Sequence, residues 1–76
     1  MNKDHLKILQ EALDKEDIKI WNKWRKENED IQVDLSQANL RDTNLIGADL
    51  VGVNLIRANL IGAKLTGINL IGADLI

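Results

Sequence analysis

Side chains able to carry catalysis or hold a metal are few in this sequence. His5 is the sole histidine, and cysteine is absent. Cysteine–histidine nucleophile pairs, thiolate metal sites and disulfides are therefore excluded. His5 lies in the charged stretch KDHLK with no second histidine or cysteine nearby, and is expected to be solvated. Asp34, Asp49 and Asp74 are the carboxylates most suggestive of a cation site. All three occupy the same point of a short repeat, where a carboxylate that bonds a nearby backbone N–H explains them without a metal. Gly47, Gly52, Gly62, Gly67 and Gly72 recur at steps of five or ten residues and follow no phosphate-loop pattern. They read as turn residues. Trp21 and Trp24 fit either an aromatic ligand site or a structural plug, and the plug is the expectation. No enzyme activity, cofactor or metal is expected.

The elements that place these residues follow from one regularity. A leucine falls on every fifth residue at Leu35, Leu40, Leu45, Leu50, Leu55, Leu60, Leu65, Leu70 and Leu75. An α-helix turns about 100° per residue, so steps of five would spiral leucines round every side. In a strand an odd step would send successive leucines to opposite faces. All of them point inward only if the chain turns once per repeat, which is a solenoid with five-residue sides.

The other repeat positions agree. A small or apolar residue stands two places before each leucine, and Asp or Asn one place before in eight of nine repeats, with Lys64 the exception. Short amide and carboxylate side chains suit corners because they bond local backbone. Two places after the leucine comes glycine in five of the eight complete repeats, as the third residue of a type II turn requires. Gln37, Asp42 and Arg57 replace that glycine, so a different turn geometry is expected there. Periodicity alone leaves the coil length open: glycine stacking fits fifteen residues per coil nearly as well as twenty.

The tandem pattern A-[DN]-L-x-x, from VDLSQ at Val33 to ADLI at Ala73, resembles the pentapeptide-repeat family over 44 of the 76 residues. The resemblance implies a β-solenoid: a right-handed quadrilateral parallel β-helix, here of about two coils, with an N-terminal α-helical cap. The stretch WNKWRKEN is similar to the helical segment ahead of the repeats in some cyanobacterial members. Some relatives resemble B-DNA in shape and charge and bind topoisomerases. That activity needs a long acidic surface, whereas these repeats hold four acidic and three basic residues.

Residues 1–32 are expected to form the helical cap and residues 33–76 the repeat β-helix of nine repeats, together one structural unit. The first segment holds seven basic and eight acidic side chains and both tryptophans. Leu6, Leu9 and Leu13 fall on one helical face, and Asp17 is positioned to N-cap a second helix presenting Ile18, Trp21 and Trp24. These six are the expected cap-packing residues, closing the first coil.

The whole chain carries ten basic and twelve acidic residues, which gives no electrostatic reason for nucleic-acid binding. No apolar run suits a signal peptide or membrane span, so a cytoplasmic protein is expected. The surface is the unusual part. The residue after each leucine should face solvent, yet it is aliphatic at Ile46, Val51, Ile56, Ile61, Ile71 and Ile76. Adjacent exposed aliphatics mark an interface more often than a bare surface; β-propensity is the competing explanation. With Leu75 and Ile76 at an uncapped coil end, the expected partner is a second copy of the chain, giving a homo-oligomer. A monomeric recognition domain, or the stem of a larger protein, is the alternative. Arg41, Arg57 and Lys64 are the only basic residues of the repeats, too few to favour a membrane surface.

Overall fold

The computed structural model describes residues 1–74 and begins with two helices, α1 (Lys3–Asp14) and α2 (Ile18–Glu27). Asn2 caps α1, its Oδ1 accepting from the N–H groups of Asp4 and His5. At the other end the Asp17 N–H donates to Ala12 O and the Glu16 N–H to Leu13 O, with Glu16 left-handed at φ 52°. This is a Schellman stop with glutamate where glycine is usual. Asp17 then caps α2 through the Lys19 N–H at 3.1 Å. Tight stop and immediate restart fold the helices against each other, with Leu9, Ala12 and Trp21 turned to the core.

The repeats then coil on themselves. Parallel bridges join Asp34 to Asn54, Asn39 to Asn59, Asn44 to Lys64, Asp49 to Asn69 and Asn54 to Asp74. Every pair is twenty residues apart, so four five-residue repeats complete one coil and the fifteen-residue alternative is eliminated. Along each side the chain bonds the next coil in a fixed pattern. Leu35 N–H donates to Asn54 O at 2.8 Å, and Asn54 N–H donates to Val33 O at 2.9 Å. No extended strand is present among the described residues; the sides consist of single-residue bridges. The reason is the length of a side. Two of its five residues form the corner, so the run between corners is too short to be a strand in the ordinary sense.

The corners are alike. Each central leucine from Leu35 to Leu70 accepts at its carbonyl from the N–H three residues on, as in Ala48 N–H to Leu45 O at 3.0 Å. The residue two after the leucine has positive φ in all eight, and the one between does not. That combination is a type II turn. The expectation of a different geometry at Gln37, Asp42 and Arg57 is therefore corrected: their φ values of 61°, 57° and 61° sit beside the 68–76° of the glycines. The fixed coil register imposes the conformation, and these residues accept the steric cost of a left-handed backbone, about 1–2 kcal/mol each.

The Asp or Asn before each leucine braces the same corner. Its Oδ1 accepts from the N–H two residues on in seven repeats: Ser36 to Asp34, Arg41 to Asn39, Ile46 to Asn44, Val51 to Asp49, Ile56 to Asn54, Ile61 to Asn59 and Ile71 to Asn69. The Lys64 side chain has no such acceptor. Thr43 fits an apolar position by donating its hydroxyl to Leu40 O at 2.7 Å.

The core is a column of leucines flanked by Val33, Ala38, Ala48 and Val53. Leu35, Leu40, Leu45, Leu50 and Leu55 are fully buried. Leu60 and Leu70 are half-buried, and Leu65 is 37% exposed.

Candidate interaction surfaces

The first surface is where the helices meet the coil. Inside the solenoid, each Asp/Asn position uses its backbone N–H and C=O to bond the coil before it. The first coil has no coil before it, and side chains of the N-terminal segment, with the Asn2 backbone N–H, substitute. Asn22 Oδ1 accepts from the Asp49 N–H at 2.8 Å, and Trp21 Nε1 donates to Asp49 O at 2.9 Å. At Asp34 the N–H donates to His5 Nδ1 at 3.1 Å, while Asp34 O accepts from the Asn2 N–H at 3.0 Å. Asn22 Nδ2 donates to Gly47 O, Gln32 Nε2 to Gly52 O, and the Arg25 guanidinium to Val51 O. A parallel neighbour strand would offer the same donors and acceptors.

Leu9 and Trp21 are buried against the coil, and Leu6, Leu13, Ile18 and Trp24 pack half-buried around them. Trp21 and Trp24 stack at 5.4 Å between ring centroids. Trp21 is buried with its N–H already bonded to Asp49 O, and Trp24 stacks on it half-buried. The expectation of a solvated His5 is corrected. His5 is only 8% exposed, and its ring lies 5.4 Å from that of Trp24. It sits one helical turn before Leu9, on the same inward face, a spacing that was visible in the sequence. Asn22, Arg25 and Gln32, which also serve the edge, carried no sequence signal because their partners lie 20–27 residues away.

The candidate acidic residues do not converge. Asp34 and Asp49 hold their own corners through Oδ1, and no group of three or more potential metal ligands exists among the described residues. The Ser36 side chain and then its N–H, bonding Asp34, hold that carboxyl below its usual value.

The second surface is aliphatic. Ile46, Val51, Ile56, Ile61 and Ile71 are all exposed, Ile61 by 63% and Ile71 by 74%. Leu75 and Ile76, also expected at this surface, lie outside the described residues. The twenty-residue register places Ile71 directly over Val51, and Gly52 N–H to Ile71 O at 2.8 Å fixes that stacking. Ile56 projects from the next side round, above Ser36, while Ile46 stacks with Thr66 and Ile61 with Arg41. Only Val51 and Ile71 form an aliphatic column among the described residues.

The sequence model of the family described as pentapeptide repeats matches residues 31–55 and 54–76, in eight copies. Those spans run over more than half of the chain. The chain belongs to the pentapeptide-repeat family. Comparison with curated proteins and with solved structures gives no match. Family membership accounts for the repeat residues, and the geometry adds how a pentapeptide-repeat coil is closed at one end by side-chain donors and acceptors. No described helix is long and apolar enough to cross a membrane.

Proposed function

We propose that the chain is a non-catalytic structural and interaction module, folded as a right-handed quadrilateral parallel β-helix behind a helical cap, that self-assembles. Family membership and the twenty-residue register support the architecture, and the right-handed sense follows the family. The contacts between copies are the Val51/Ile71 column with neighbouring Ile56.

One observation carries this reading. Ile71 is 74% exposed directly above the exposed Val51, on the outer face of coils whose central leucines turn inward. A contiguous aliphatic surface on a rigid scaffold gains free energy by leaving water, about 25 cal/mol per Å². Straight, repeated sides suit a self-complementary contact, since one patch meets its own image across a twofold axis.

Size-exclusion chromatography with light scattering over a roughly hundredfold concentration range tests it, because mass action makes association concentration-dependent. The expected result is a mass above that of the monomer that rises with concentration. The Ile56→Ser, Ile71→Ser double variant should shift toward monomer with unchanged circular dichroism. A mass equal to one chain throughout, in both proteins, would refute self-assembly and favour a monomeric domain for a different protein.

A further inference from the structure

The helical segment fills only part of the first coil's edge, and what it leaves open has a defined chemistry. On the side containing Asn44, Leu45 N–H donates to Lys64 O and Lys64 N–H donates to Thr43 O, both between the first and second coils. Successive peptide groups alternate in direction, so the Asn44 N–H and C=O point away from the second coil. The equivalent groups of Asn54 use that direction to bond Val33 and Leu35. The groups of Asp34 and Asp49 meet His5, Asn2, Asn22 and Trp21. The groups of Asn39 and Asn44 meet no described protein atom.

Asn44 differs from Asn39 in opening onto a cleft. A space of about 500 Å³ separates it from the turn joining α1 and α2. Leu13, Ile18 and Ile46 supply an apolar wall, and Glu16, Asp17 and Asp42 supply three carboxylates, with no lysine or arginine in the lining. None of these carboxylates is ion-paired with a described residue. An unpaired coil edge beside mixed apolar and acidic walls matches an extended segment whose alternate side chains are apolar and basic.

We propose that this cleft takes an extended peptide of alternating basic and apolar residues, added as a strand to the Asn44 edge. Its backbone bonds the Asn44 N–H and C=O. Its apolar side chains contact Leu13, Ile18 and Ile46, and its basic ones face Glu16, Asp17 and Asp42. The site lies at the helix-covered end of the array, away from Ile71, and does not depend on self-assembly.

Amide NMR of the full chain with a capped peptide of lysine–valine repeats tests this. Saturable shifts should centre on residues 43–46 and 16–18. Glu16→Gln with Asp42→Asn should weaken binding roughly fivefold, the scale of two exposed charge pairs, while preserving side-chain shape. Ile71→Ser should leave it unchanged, which separates this site from the self-assembly surface. Two N-methylated forms of the peptide, one at every lysine and one at every valine, test strand addition; one of them must lose binding. The proposal fails if neither does, if a glutamate–valine peptide binds as well, or if the shifts centre elsewhere. It also fails if calcium alone reproduces the shifts, marking a cation site, or if protein concentration alone does, marking a second copy as the occupant.

Discussion

The two ends of the repeat array carry the same central leucine in different surroundings. Leu35 to Leu50 form the first coil, with helices beneath and a second coil above, and all four are fully buried. Leu65 holds the same repeat position one coil after Leu45, yet is 37% exposed. Its repeat, AKLTG, shares with the TNLIG of Leu45 the central leucine and the turn glycine. Burial in this solenoid therefore comes from having a neighbour on each side, and the helical segment is one such neighbour. It meets the need twice over: Leu9, Ala12 and Trp21 cover the leucines, and Asn22, Trp21 and His5 satisfy the peptide groups above them. An apolar lid without those donors and acceptors would leave buried backbone unpaired, at about 1–3 kcal/mol per group.

The two ends differ most at the leucines. Leu50→Ala should destabilise by about 2–5 kcal/mol, as expected for a leucine packed on all sides. Leu65→Ala should cost about 1 kcal/mol, since much of that side chain already meets water. Urea unfolding of the two variants measures both. Equal losses would mean that the open coil is packed as firmly as the covered one.

The corners sharpen it on a smaller scale. Gly62→Ala should cost about 1–2 kcal/mol, because φ is +74° and a Cβ there would collide with the Asp42 carboxylate one coil below. Arg57→Gly should stabilise by about 0.5–1 kcal/mol, the left-handed cost relieved less the entropy glycine adds to the unfolded chain. Thermal melts of the pair would register opposite shifts. A lower melting temperature for Arg57→Gly would show that Arg57 contributes contacts outweighing its backbone cost.

Features governed by local repetition were legible in the sequence. The five-residue period exposed the inward leucines, the Asp/Asn position exposed the corner brace, and helical spacing exposed Leu9 and Trp21. Three things were hidden, each for a physical reason. Coil length depends on which repeats stack, and period five fits more than one polygon. Glycine marks a left-handed corner, but its absence at Gln37, Asp42 and Arg57 does not mark a different one, because neighbouring coils dictate the backbone. The edge-filling roles of His5, Asn22, Arg25 and Gln32 arise only when the helices dock, across separations no local pattern encodes. Polar residues on amphipathic helices otherwise read as a solvated face.

The helical segment substitutes for a missing coil along two of its four sides. Residue-resolved amide hydrogen exchange at neutral pH tests it most directly. The backbone N–H groups of Asp34 and Asp49, held by His5 Nδ1 and Asn22 Oδ1, should exchange slowly. Those of Asn39 and Asn44, at the same repeat position in the same coil, should exchange near the rate of open peptide. Equal rates at all four, or faster exchange at Asp34 and Asp49, would show that the helices do not fill that edge.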